Sequence, residues 1–276
     1  MPDNTTRLTR SGLDLDVAVF LAEAAAITYS GSISIKAWAL ANGFGVQCTT
    51  FDHDNIQGFW CVAGDVALIA FRGTSNPGQW LRDARFIPIE SEWGRVHAGF
   101  KGGIEIAEPD LLAFEKAAVD AKHVWVTGHS LGGALAVMAA AHLKRRGISA
   151  ALYTYGQPRV GLSGFADRFE QELPDKLIRF VNQSDIVPRV PPGIFYRHMG
   201  MVKHVVSNGE GGSFGLEAIA ETTLDETEME PLSEAEFAAL QESLKQPGTE
   251  SFEGALPWIS DHSMTEYVRL LTEIRG

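Results

Sequence analysis

The chain has 276 residues, 45% of them hydrophobic, with 28 glycines, 12 prolines and two cysteines, which excludes wholesale disorder and leaves ample apolar material for a core. Two cysteines cannot build a disulfide scaffold, no Cys-x-x-Cys or His-Glu-x-x-His spacing occurs, and no apolar run reaches the roughly 18 residues of a membrane span. The net charge of −12 is local: twelve of the 35 acids, but only Lys245 among the 23 bases, fall between Glu210 and Glu253, so the body is nearly neutral and nucleic acid is a poor partner.

Met1 to Arg7 lacks the charged-then-apolar layout of a secretory leader, so the cytoplasm is the default expectation, with leaderless export open. Asp14 to Tyr29 is almost continuously apolar and predicts a buried helix stopped near Gly31; a shorter helix follows over Ile33 to Leu40. Phe44 to Phe51 and Gln57 to Val62 read as two strands around a tight turn at Asp54-Asn55. Such a turn sets Cys48 opposite Cys61, as two buried thiols or as a cross-strand bond needing an oxidising compartment.

Four short apolar runs come next: Val66 to Phe71, Val124 to Val126, Ala151 to Tyr153 and Leu177 to Val181. Helical patterns over Gly103 to Ala121, Leu131 to Arg146 and Gly164 to Glu172 fall between them. This alternation predicts an α/β protein with a mostly parallel central sheet and helices on both faces. The basic run Lys144-Arg145-Arg146 ends a helix, where it complements the helix dipole. With no repeat and no Gly/Ser or Pro linker, residues 1–276 read as one domain carrying an acidic insert at about 210–256. Within the insert, Ser233 and Glu236 form a capping box with a Leu232–Phe237 staple, predicting a helix from Ser233 to about Lys245. Glu221 to Glu230 before it reads as a mobile approach. The insert is either a solvated excursion or a contact for substrate or partner.

The stretch from Val124 to Ala136 contains Gly128-His129-Ser130-Leu131-Gly132 between an apolar strand and a small-residue helix. That context is what a nucleophile elbow requires: the glycines permit a sharp turn, the serine projects above the sheet edge, and the helix N-terminus places positive partial charge beside it. A serine needs a base, and the base needs an orienting carboxylate. In this architecture the acid follows a strand and the histidine comes last. Asp185, after Leu177 to Val181, fits better than Asp167 or Asp175, which fall in or beside a helix. Of the later histidines, His198 and His204 lie in an apparent strand, Tyr196 to Val206, whereas His262 lies in a loop before a terminal helix, Met264 to Ile274. Thr74, after the strand ending Phe71-Arg72-Gly73, and the backbone N–H of Leu131 are the oxyanion candidates.

Taken together the sequence resembles the class 3 lipase family of fungal-lipase-like α/β-hydrolases. Five blocks carry the resemblance in order: Ala70-Phe71-Arg72-Gly73-Thr74, Trp80-Leu81-Arg82-Asp83, Val96-His97-Ala98-Gly99-Phe100, Gly128 to Ala136, and Tyr155-Gly156-Gln157-Pro158-Arg159-Val160-Gly161. Val181-Asn182…Asp185 to Pro188 and Asp261-His262…Tyr267 extend it, the tyrosine lying two positions later than the Asp-His-x-x-Tyr pattern has it. The resemblance implies an α/β-hydrolase fold, a Ser130–Asp185–His262 triad, an oxyanion hole from Thr74 and Leu131, and Asp83 holding the Thr74 hydroxyl. It also implies a lid at 75–89. The residues agree: Trp80, Leu81, Phe86, Ile87 and Ile89 give that segment an apolar side, while Arg82, Asp83, Arg85 and Glu90 keep it soluble, which suits contact with a lipid interface. The alternative is a loop packed permanently on the core.

The expected activity is hydrolysis of acylglycerol or similar lipid esters through an acyl-enzyme, with no metal or organic cofactor. Phospholipase A1 and short-chain or feruloyl-type esterases would share every one of these residues. A catalytically silent binding protein on the same fold is the alternative outside enzymes.

Overall fold

A computed structural model describes residues 4–10, 12–45, 47–182, 185–193, 195–207, 214–217, 230–245 and 260–276. Most of Glu221 to Glu230, and the rest of the acidic insert outside 214–217 and 230–245, lie outside the described residues. In chain order the strands are β1 (Cys48–His53), β2 (Ile56–Ala63), β3 (Val66–Phe71), β4 (Pro88–Ser91), β5 (Gly94–His97), β6 (His123–His129), β7 (Ala151–Tyr155), β8 (Gly161–Leu162), β9 (Leu177–Asn182), β10 (Tyr196–Arg197), β11 (Met201–Ser207) and β12 (Phe214–Glu217). The helices are α1 (Leu15–Ile27), α2 (Ser32–Ala41), α3 (Pro77–Asp83), α4 (Ala98–Ile106), α5 (Glu108–Ala117), α6 (Leu131–Arg145), α7 (Ser163–Glu172), α8 (Glu234–Ser243) and α9 (Met264–Arg275).

The main sheet has the order β1-β2-β3-β6-β7-β9-β11-β12. Its centre, β3 through β11, is parallel, and the antiparallel pairs β1–β2, β2–β3 and β11–β12 lie toward its edges. The apolar runs become central strands because both their faces are covered. Along β3, Ala67, Ile69 and Phe71 face the cluster built with α4 to α7, whereas Val66, Leu68 and Ala70 face the cluster built with α1, α2 and α9. In β6, Val124 and Val126 take the first side and Trp125 the second. A run with no polar face therefore has no edge at which it could sit.

The β1–β2 turn at Asp54 and Asn55 has φ of 48° and 68°, the left-handed pair that a two-residue hairpin demands. It sets Cys48 opposite Cys61, and both are buried free thiols. The first strand starts at Cys48 rather than Phe44, whose ring fills the core beside Phe20 and Trp38 instead. The helix expected over Gly103 to Ala121 is two helices, α4 and α5, because Pro109 has no N–H to continue one and suits the first turn of the next. The strand expected over Tyr196 to Val206 is also divided: Gly200, at φ +74°, separates β10, in a small four-stranded sheet, from β11, in the main sheet. No described helix is long and apolar enough to cross a membrane.

A third, smaller apolar cluster lies outside these two layers. Leu81 of α3 packs with Val187, Val190, Leu232, Phe237 and Leu244, flanked by Trp80, Ala84 and Phe86. Thus the apolar side of the 75–89 segment is seated on α8, with the rings of Phe86 and Phe237 5.1 Å apart. Ile87 points outward, 56% exposed. The Gln241 side-chain amide donates to the carbonyls of Leu81, Arg82 and Ala84 at 3.1–3.2 Å, satisfying oxygens that the end of α3 leaves without helical partners. Ser233 and Glu236 form the expected capping box of α8.

Candidate active site

Parallel register brings the strand ends level: Phe71 pairs with Gly128, His129 with Tyr155, and Tyr155 with Phe180. The segments leaving β3, β6, β7 and β9 therefore meet at one edge, the place where α/β sheets bind ligands. Ser130 sits between β6 and α6 with φ 57° and ψ −127°, a conformation that strains any side-chain-bearing residue. Two contacts explain why the turn can be so tight. A Cβ on Gly128 would overlap the Gly132 carbonyl, and one on Gly132 would overlap the Phe71 carbonyl, so only glycine lets α6 start this close to the sheet. The resulting helix start orients the Leu131 N–H beside Ser130.

His262 and Asp185, 77 residues apart, meet at this edge. The Nδ1–H of His262 donates to both carboxylate oxygens of Asp185, at 2.9 and 2.8 Å. The carboxylate also accepts from the Val187 N–H (2.9 Å) and the Tyr267 hydroxyl (2.7 Å), and Tyr267 in turn accepts from the Asn182 N–H at 2.9 Å. A buried carboxylate with three donors is compensated and fixed in orientation. Tyr267 reaches it despite its later position because α9 starts at Met264 and turns its first face inward. Burial next to Asp185 pushes the Tyr267 phenol well above its ordinary value, so it stays a donor. Gly156, at φ +56°, leaves the room: a Cβ there would lie 2.6 Å from Asp185 Oδ2 and 2.9 Å from His262 Nδ1.

Ser130 Oγ and His262 Nε2 are both buried and have no hydrogen-bond partner among the described residues. Ser130, Asp185 and His262 are 0%, 1% and 1% exposed. The two open valences are those a proton transfer from serine to imidazole would use.

Thr74 and Leu131 line a cavity of about 720 Å³ together with Arg72, Gln79, Trp80 and Asp83. The Thr74 hydroxyl engages Asn76, accepting from its N–H at 3.2 Å, while the Asn76 side chain caps α3. Asp83 is not its holder: that carboxylate is exposed and forked onto its neighbour Arg82 at 3.0 and 3.2 Å. One residue of a short helix takes its adjacent cation more readily than a hydroxyl across the cavity. The other histidines go elsewhere. His198 Nε2 donates to the Pro188 carbonyl at 2.8 Å, and burial beside Arg179 and Arg159 holds it neutral; His204 lies within β11. Of the competing acids, Asp167 is paired with Arg197. Among the described residues no cluster of His, Cys, Asp or Glu is arranged to hold a metal ion.

The fold and elbow together define an α/β-hydrolase. The model of the family "Lipase (class 3)" matches residues 68–195. A secreted mono- and diacylglycerol lipase of Fusarium solani is 38% identical over 139 residues, covering 48% of this chain and 41% of its own length. A lipase of Rhizomucor miehei is 37% identical over 153 residues, covering 51% and 42%. A solved triacylglycerol lipase, whose catalytic centre is described as a serine protease triad, superposes with a TM-score of 0.61 at 26% identity over 72% of this chain and 83% of that one. These matches make the chain similar to class 3 lipases over residues 68–195, a little under half of its length. The chain matches less than half the length of each of the two curated relatives.

Gly156, His129 and Tyr29 have no role that sequence alone assigns, although the first two stand inside the blocks that carry the family resemblance. Gly156 had a signal, a glycine directly after a strand of the parallel sheet. Tyr29 had none, since only the tertiary fold brings α1 to the elbow.

Proposed function

We propose that this chain is a serine carboxylic-ester hydrolase acting on acylglycerols or related lipid esters. The observation that carries the reading is an imidazole held through Nδ1 by Asp185 with its Nε2 buried and unpartnered, at the same sheet edge as a buried elbow serine whose hydroxyl is also unpartnered. Ser130 Oγ attacks the acyl carbonyl as its proton passes to His262 Nε2, and Asp185 stabilises the resulting imidazolium. The carbonyl oxygen, now anionic, takes hydrogen bonds from the N–H groups of Thr74 and Leu131, worth on the order of 3 kcal/mol each in the transition state. Collapse expels the alcohol, which leaves with the proton from His262. Water, deprotonated by His262, then cleaves the acyl-serine to fatty acid and free Ser130.

Support for lipid esters comes from the apolar residues of the 75–89 segment beside the oxyanion cavity and from the names of the relatives. In this reading α3 is the lid and α8 is what it rests on.

A fluorophosphonate probe and a series of glycerol and p-nitrophenyl esters of graded acyl length test the proposal. Wild type is expected to label and to hydrolyse long-chain esters above their solubility limit. Ser130→Ala is expected to lose labelling and about 10⁴-fold or more in turnover. A wild type that neither labels nor hydrolyses any ester overturns the hydrolase reading; turnover confined to dissolved short-chain esters overturns the lipid part.

A further inference from the structure

His129 is buried, 5% exposed, one residue before Ser130, and the hydrolytic steps leave it unused. Its two ring nitrogens are both committed. Nε2 lies 2.6 Å from the backbone carbonyl of His262, and Nδ1 lies 2.7 Å from the Tyr29 hydroxyl. A carbonyl can only accept, so the hydrogen is on Nε2, and Nδ1 accepts from Tyr29. The Tyr29 hydroxyl also packs directly against the Gly73 backbone, where a Cβ would overlap it. The imidazoles of His129 and His262 lie 4.6 Å apart at 34°.

We propose that Tyr29 and His129 form a positioning brace that ties together the three loops supplying the site: the oxyanion strand end at Gly73-Thr74, the elbow at His129-Ser130, and the loop of the base, His262.

The inference rests on the hydrolase reading for its effect on turnover, while its geometry stands independently. Each contact reaches an element that nothing nearby in sequence would fix. Tyr29 follows α1, 100 residues before His129, and His262 comes 133 residues after it. The fit around Gly73 is close: a Cβ there would lie 2.5 Å from the His129 carbonyl and 3.1 Å from Ser130 Cβ, and would overlap the Tyr29 hydroxyl. Arg72 covers the other side of the brace, its guanidinium 5.3 Å over the Tyr29 ring and its Nη1 bonded to Gln57.

The charge state follows from the surroundings. Burial, then the neighbouring His262, hold the His129 imidazole neutral far below the ordinary histidine range. A neutral ring is what the site needs, because His262 becomes cationic during acyl transfer and a second cation at this separation would oppose it. His129 thereby offers the base a fixed hydrogen-bond donor on its backbone and a flat uncharged surface beside its ring.

The test compares His129→Phe, which keeps an aromatic surface and removes both hydrogen bonds, with His129→Gln, whose amide can still donate to the His262 carbonyl, and with Tyr29→Phe, which removes one hydroxyl. The measurements are kcat and KM on dissolved p-nitrophenyl butyrate and the fluorophosphonate labelling rate. His129→Phe is expected to lower kcat and labelling together by roughly 10- to 100-fold, since sub-ångström displacement of a base has that scale of effect, with KM changed less than about twofold. His129→Gln is expected to recover most of that loss, and Tyr29→Phe to show a smaller drop in kcat alone. A His129→Phe enzyme with wild-type kcat, or a Gln variant no better than Phe, overturns the brace. Should His129→Phe fail to fold, an unchanged kcat in Tyr29→Phe overturns it.

Imidazole ¹⁵N spectra give a readout that does not depend on hydrolysis. They are expected to show His129 protonated on Nε2, and the His262 resonances moving in Tyr29→Phe. An Nδ1–H tautomer, or unmoved resonances, overturns the brace. A wild type silent toward esters but with these spectra instead removes the hydrolase reading and leaves the brace standing.

Discussion

Two regions of this molecule are held together by different means. At the sheet edge, Ser130, Asp185 and His262 are held by backbone close approaches and hydrogen bonds between buried elements far apart in sequence. Moving any one of them disturbs β3, β6, β7 or β9. The α3–α8 flap, in contrast, rests on a handful of side chains around Leu81, Phe86 and Phe237, plus one glutamine amide. Only five residues separate Phe71 from Pro77, yet the two belong to regions of very different cohesion. The contrast suits a site whose reacting groups stay fixed while what lies beside them moves.

The largest expected effect is at the edge. Gly132→Ala forces a methyl into the Phe71 carbonyl, where neither α6 nor β3 can give way. It is expected to cost on the order of 3 kcal/mol or more of unfolding free energy, read by urea denaturation. A loss below about 1 kcal/mol would show that the elbow is as yielding as the flap.

Acid sharpens the same contrast. His129 and His198 are buried and held neutral, with folded-state values far below the ordinary one, and His97, beneath Phe86, is lowered less. The unfolded chain takes up these protons near pH 6.5 and the folded chain does not. Their stabilisation is therefore present above about pH 6.5 and is lost as the pH falls below it, by up to about 1.4 kcal/mol per pH unit for each histidine. Melting curves between pH 7.5 and 5 would measure the slope; a flat profile would mean that these rings take up protons in place.

The smallest effect belongs to the flap. Gln241→Ala removes the amide from three carbonyls of the α3 end and is expected to cost about 1 kcal/mol. Hydrogen exchange should localise it, with faster exchange in α3 and none in β6 or β9. Equal acceleration in the sheet would break the comparison.

The sheet and the elbow were legible because uninterrupted apolar runs admit only central strands, and because Gly128 and Gly132 flank a serine at a strand-to-helix junction. Asp185 and His262 were legible as candidates by chain order, and the structure brings both to one edge. Asp83 misled because its position in a family motif says nothing about its competition for Arg82, one residue away. The α4–α5 break was visible in Pro109 but was hidden by helical periodicity on both sides. The seat of α3 on α8 had no local signal, since Gln241 and Leu81 are 160 residues apart. Contacts of that range appear only once the sheet has set where each loop emerges.

The complete burial of Ser130 has a kinetic consequence. A reagent can reach the hydroxyl only after its cover shifts, so modification becomes a two-stage event. At low dose the rate follows encounter, whereas at high dose it levels off at the frequency of uncovering. Such a plateau would clock the cover itself, whatever the chemical strength of the reagent.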